Sequence, residues 1–408
     1  MTLTLRRISL SLVLIVSLFS LGFRSHQQTN VEYVDISQEW DFGEEIRFQG
    51  AIQSPARITD SVLFIRPFGA DTRLINFETG PGGLINQTYS LSDSVLGAFT
   101  PVEYWYQVKL DTGEESSSPV YSFLYEDNRF NWQRMETDTF KLAWASGDLG
   151  FGQTLMNAAE DSLTTAQSIL PVDSVSPLRI YAYPSASELQ SAIKLASLPW
   201  AAGHANPDIS VILISIAPGP DARAEMERQL PHEIMHILEY QVTGTSYNRV
   251  PKWLLEGLAS FAELYPNPDY QRVLQNAVET ESLVPMVVYC DSFPRDLSGA
   301  MLAYAQSSSF VRFLHQNYGS TGITSLLTQY KDGFGCEAGV QAALGTSLTE
   351  IEGRWQTETL GHDTKLAAWK KIRPYILLAL IILVPVGLSF LPSRVNKQKN
   401  GNKSNVSP

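Results

Sequence analysis

Cysteine is scarce in this 408-residue chain, which carries two, Cys290 and Cys336. Neither sits in a CxxC or other metal-ligand spacing, so neither reads as a zinc ligand. In an exported chain such an even pair is expected to form one disulfide, the alternative being two unrelated buried thiols. Positive charge is also in deficit, with 30 Lys and Arg against 42 Asp and Glu and a formal net charge of -12. That balance argues against a nucleic-acid partner, which would need a basic face to displace counterions from phosphates. It fits a soluble, self-repelling surface. Internal repeats are lacking, and the one low-complexity stretch is the polar tail Asn396 to Pro408. What remains is globular in composition, 44% hydrophobic and 18% charged, and long enough for two domains with further segments outside any core.

Two of those segments read as membrane elements. Arg6 and Arg7 precede an apolar run from Ile8 to Phe23, the layout of a secretory signal. The run ends Leu21-Gly22-Phe23-Arg24 without a clean small-x-small cleavage site, so residues 1–25 are either a signal peptide or a signal anchor. The second run, 375–391, is free of charge and close to the lower limit for spanning a bilayer. Lysines and arginines flank it on both sides, so orientation falls to the N-terminal signal. The expected product is a cell-membrane protein with a single C-terminal transmembrane helix, its bulk extracytoplasmic and residues 392–408 a cytoplasmic tail.

Between these runs the texture changes once. Residues 31–127 read as about seven short strands in roughly 95 residues, the pattern of an all-β immunoglobulin-like or fibronectin-like sandwich. Tyr104 to Leu110, Asp111-Thr112-Gly113 and Val120 to Tyr125 form its clearest hairpin. Asn128 to Glu136 looks like a packed linker. A mixed α+β domain then covers 136–360, with a linker over 361–374. Phe140 to Ala145 and Leu178 to Tyr183 are strands, while Gly152 to Leu170 and Ser187 to Leu195 are helices. Ser210 to Ile216 is a strand, either buried on both faces or at the edge over a cleft. Helical patterns follow to about Thr359.

Chemistry concentrates in His232-Glu233-Ile234-Met235-His236. On a helix, residues four apart share a face, so both imidazoles reach one ion while Glu233 leans toward the remaining position. Pro231 either opens this helix or kinks one running on from Arg223. In Trp253-Leu254-Leu255-Glu256-Gly257-Leu258-Ala259 the single carboxylate, Glu256, is costly in so apolar a helix unless paired or metal-bound. Ligands His232, His236 and Glu256 leave one position for water, as in catalytic rather than structural zinc sites. Ser260 or Glu263 could orient them. His204 and His315 are read as ordinary surface or core histidines, and nothing singles out Tyr240 or Tyr247.

HEIMH followed by WLLEGLA resembles the gluzincin metallopeptidases, in particular the peptidase MA-like group with an M1 aminopeptidase-like catalytic core. The resemblance runs from about Phe140 to Trp355 and includes Ala303-Tyr304-Ala305-Gln306-Ser307 through Phe310-Val311, then Ala343-Leu344-Gly345, Ser347-Leu348 and Glu350. It implies a thermolysin-like domain, a Zn2+ cofactor, a peptide or protein substrate, and Tyr304 as the hydroxyl that steadies an oxyanion. Two departures stand out. Nineteen residues, Ile237 to Leu255, separate the motif from Glu256, one more than in the aminopeptidases. The GxMEN exopeptidase signature is missing, which puts aminopeptidase activity in doubt and leaves endo- against exo-cleavage open.

The expected function is therefore zinc-dependent hydrolysis of peptide bonds, with Glu233 as general base. Two rivals stand beside it: a catalytically inactive gluzincin-fold surface module that binds a partner, and a zinc hydrolase acting on a non-peptide bond.

Overall fold

The computed structural model describes residues 30–92, 96–193, 203–361, 369, 372–381 and 383. The chain divides into two compact units at Tyr125 and Glu126, with Gly97–Phe99 grouped in the second.

The first unit is all β. Its strands are β1 (Glu32–Asp41), β2 (Glu45–Gln53), β3 (Ile58–Pro67), β4 (Arg73–Asn76), β5 (Leu84–Ser90), β6 (Thr100–Leu110), β7 (Glu115–Ser117) and β8 (Tyr121–Tyr125). One sheet runs β1-β2-β5 and the other β4-β3-β6-β7, with β8 also on β6. Alternation explains the packing. Every second residue of β6 from Thr100 to Leu110 is buried, which lays one row of side chains against the facing sheet. Phe48 of β2 meets Tyr104 of β6 with ring centroids 4.9 Å apart. The unit is the expected β-sandwich, with eight strands rather than about seven.

The second unit begins with a sheet and ends in helices. Its strands are β9 (Gln133–Glu136), β10 (Phe140–Trp144), β11 (Leu178–Tyr183), β12 (Gly203–Asn206) and β13 (Val211–Ser215). They are ordered β12-β13-β11-β10-β9. The β10–β11 and β11–β13 pairs are parallel, and the two edge strands are antiparallel to their neighbours. One expectation changes. The supposed linker to Glu136 contributes edge strand β9, because its residues pair with β10. Of the two alternatives for Ser210 to Ile216, the strand buried on both faces holds, as the interior strand β13, and the edge is the short β12, which lacks the β-branched residues that mark a strand in sequence.

The helices are α1 (Leu149–Ile169), α2 (Ala186–Ile193), α3 (Ala222–Thr243), α4 (Lys252–Ala262), α5 (Asp269–Glu279), α6 (Leu297–Lys331), α7 (Cys336–Leu344) and α8 (Leu348–Glu358). Asp148 caps α1 by accepting the amide of Phe151 at 2.9 Å. Gly319, at φ 64°, breaks the path of α6. Trp253, Phe310 and Trp355 form a buried aromatic row with centroid spacings of 5.3 and 5.5 Å. Gly257 lets α4 pack directly on α6, since a methyl group there would lie 2.5 Å from Val311 and 2.8 Å from the carbonyl of Ser307. Cys290 and Cys336 form a disulfide.

The signal segment 1–25 and the tail 392–408 lie outside the described residues. Residues 372–381 are helical. Most of the remainder of the expected span 375–391 also lies outside. Among the described residues no helix is long and apolar enough to cross a membrane.

Candidate active site

Helix α3 runs from Ala222 through Pro231 to Thr243, so Pro231 does not open it. His232 and His236 follow on one face, one turn apart, with ring centroids separated by 5.1 Å. Helix α4 brings Glu256 across to them. Its Oε2 lies 3.4 Å from Nε2 of His232 and 3.8 Å from Nε2 of His236. The three donor atoms all fall within 4.8 Å of one another.

The far nitrogens of both rings are held. Nδ1 of His232 is 3.2 Å from Oε1 of Glu263. Nδ1 of His236 is 2.9 Å from Oε2 of Glu239 and 3.1 Å from the Tyr247 hydroxyl. A proton kept on Nδ1 by such partners leaves the Nε2 lone pair facing inward, the tautomer a metal-binding imidazole needs. Of the two residues expected to orient ligands, Glu263 bonds a histidine and Ser260 does not. Glu239 and Tyr247 escaped the sequence reading. Glu239 carried a signal, being three residues from His236 on the same helix, whereas Tyr247 arrives from a separate turn, Gly244–Arg249.

Electrostatics fit a cation. Glu233, Glu239, Glu256 and Glu263 are all buried, and one lysine, Lys252, joins them with Nζ 2.7 Å from Oε1 of Glu256. Burial works against the charge on Glu256, but Lys252 and the histidines hold it well below the usual carboxylate range. Burial also opposes charge on His232, yet its bonds to Glu256 and Glu263 keep it well above its ordinary value. For His236 burial wins and pushes it down to about 3, leaving the ring neutral. So many carboxylates in so little water are stable only when protonated or balanced by positive charge. Two neutral-capable imidazoles and one oxygen form a donor set compatible with zinc.

Glu233 sits beside the group under edge strand β12. Burial raises its carboxyl to about 7, and the backbone amide of Ala205 donates to it. Gly203 leaves it room, since a methyl group there would come within 2.5 Å of its Oε1. Tyr304, on α6, has its ring centroid 6.3 Å from that of His232. Its hydroxyl donates to Glu256, and burial holds it well above the usual phenol range, so it stays protonated. Phe293 backs the ring at 5.1 Å. Gln306, two residues on, clamps both backbone groups of Val284, accepting its amide at 3.1 Å and donating to its carbonyl at 2.8 Å. His204 lies on β12 and His315 bonds Ser320. Neither joins the donor group.

Residues 158–361, which hold all of these groups, match the family described as the Peptidase MA superfamily. The chain belongs to the Peptidase MA superfamily. A search of curated proteins finds no match. Among solved structures, an M1 zinc metallopeptidase from Deinococcus radiodurans is 11% identical, covering 77% of this chain and 90% of that one at a TM-score of 0.33. An aminopeptidase N family protein from Idiomarina loihiensis is 8% identical, covering 84% and 75% at a TM-score of 0.32. OgpA from Akkermansia muciniphila is 16% identical over 24% of this chain and 28% of that one, at a TM-score of 0.21. This Peptidase MA chain thus spans about a quarter of the length of OgpA.

Proposed function

We propose that the protein is a zinc-dependent peptidase, anchored in the cell membrane with its catalytic unit outside the cytoplasm. The observation that carries the catalytic reading is that Oε2 of Glu256 lies 3.4 Å from Nε2 of His232 and 3.8 Å from Nε2 of His236, with one donor atom from each residue within 4.8 Å of the others. Those three residues would hold the ion, and the bound ion would supply Lewis acidity, lowering the pKa of water and polarising the scissile carbonyl.

The other groups have separate tasks. Glu233, poised near neutrality, takes a proton from the attacking water and returns it to the leaving amine nitrogen. Tyr304 keeps its phenolic proton and donates it as a hydrogen bond to the carbonyl oxygen as negative charge develops. Glu263, Glu239 and Tyr247 fix the imidazole rings. A peptide or protein substrate follows from the family.

Three features support the location: the basic-then-apolar start and the apolar run at 375–391 in the sequence, and a disulfide that suits an oxidising compartment. Fractionation of cells making the full chain, with protease access from outside, tests it. Retention in the soluble cytoplasmic fraction would rule the location out.

Metal analysis with a peptide-library digest tests the catalytic reading. One zinc per chain with cleavage abolished in Glu233→Gln is expected. One zinc without cleavage of any peptide would favour a binding module instead.

A further inference from the structure

We propose that Lys252 is a positioning residue that occupies one oxygen of Glu256 and so reserves only the other for the cation. The inference rests on the zinc-peptidase reading above. The Tyr304 hydroxyl donates to this carboxylate, and its two oxygens have different nitrogen neighbours. Oε2 faces the histidines at 3.4 and 3.8 Å. Oε1 faces the Lys252 ammonium at 2.7 Å, a short charge-assisted hydrogen bond.

The lysine is itself held from outside its own helix. Its backbone amide donates to the carbonyl of Cys290 at 2.9 Å, and Cys290 is bridged to Cys336. Lys252 opens α4 one turn before Glu256, so side chain and ligand share a helix face. Its side chain is 41% exposed, yet burial weighs against the charge of the ammonium, and Glu256, with Glu239 and Glu233 behind it, outweighs that burial and holds the lysine above its ordinary value.

A carboxylate with both oxygens free can close on zinc through both and fill the coordination sphere. One with an oxygen already engaged leaves the fourth position to water. The ammonium also withdraws negative charge from the ligand set, so it weakens metal affinity in exchange for a more acidic ion.

Lys252→Met and Lys252→Gln, each checked for native circular dichroism, would be titrated with zinc against a chromophoric chelator. Both would also be loaded with cobalt(II) for visible spectroscopy. Loss of a positive charge a few ångströms from a divalent ion in a partly solvated setting should tighten zinc binding by about tenfold. The cobalt bands should weaken as coordination number rises, and Lys252→Arg should restore the wild-type spectrum. Unchanged cobalt bands, or weaker zinc binding in Lys252→Met and Lys252→Gln, would overturn the proposal and leave the lysine a mere anchor. Failure of the wild-type chain to bind zinc would instead sink the peptidase reading itself.

Discussion

The carbonyl of Glu227 accepts the backbone amide of Leu264 at 2.9 Å, and that of Tyr265 at 3.2 Å. In an uninterrupted helix this carbonyl would serve the amide four residues on, but that residue is Pro231, which has none. The missing donor in α3 is therefore made good by the chain leaving α4. Pro231 ties the helix of the histidines to the end of the helix of Glu256, just past Glu263. In Pro231→Ala a competing helical amide returns. One such bond is worth about 1 kcal/mol, so hydrogen-exchange protection at Leu264 and Tyr265 should fall roughly fivefold. Unaltered protection there would mean the tether is incidental.

Removal of the base and removal of a ligand should separate cleanly. Glu233→Gln is expected to keep one zinc per chain and lose about 10²- to 10⁴-fold in kcat. His236→Ala is expected to lose the metal. Full turnover by Glu233→Gln would exclude that residue as the base.

The partners of the rings should count for affinity rather than for chemistry directly. Glu263→Leu and Glu239→Leu each remove the carboxyl oxygen that holds an imidazole Nδ1, and zinc affinity should drop about 10- to 100-fold. Competition against a chelator of known strength gives the measurement. Equal affinity in both variants would show that the Nδ1 contacts do not steer the ligands.

Zinc uptake should depend on pH in a definite direction. Without the ion, bonds to Glu256 and Glu263 outweigh the burial of His232 and hold it well above its ordinary value, so at neutral pH it carries a proton. Binding must expel that proton. Below the raised pKa, affinity should therefore fall about tenfold for each unit the pH is lowered, and calorimetry in buffers of different ionisation enthalpy should register proton release. In the metal-free protein the same shift favours folding below the unfolded value, and the benefit disappears as pH rises through the folded one. A flat affinity profile would contradict protonated His232.

The bridge joins Cys290 to Cys336 across a sequence separation of 46. On chain-entropy grounds its loss in Cys290→Ser with Cys336→Ser should cost about 4 kcal/mol, lowering Tm measurably in a thermal melt. No change in Tm would deny the bridge a stabilising part.

Much of this was legible in the chain because the signals are local. HEIMH declares a helix face through its spacing, and Glu256 declares itself by being charged among Leu254, Leu255 and Leu258. Leu178–Tyr183 emerged with the expected bounds, since an apolar run between turns leaves few alternatives. Other features stayed hidden because their partners are distant in sequence. Gly203–Asn206 has no strand-forming side chains and takes its conformation from pairing with Val211–Ile214. Tyr247 meets His236 only after the chain turns at Gly244. The fate of Pro231 hinges on the amide of Leu264, 33 positions later, which no helical rule applied to α3 alone anticipates.

Gly203 and Glu233 compete for one volume, since even a methyl group on the former would fall within 2.5 Å of the carboxylate of the latter. Neither position is then independent in the history of the chain. A larger residue at 203 fits only where the side chain at 233 has moved aside, shortened or gone, so in a homologue that has abandoned catalysis the loss of the acid should be followed on the edge strand by a side chain where this protein has none.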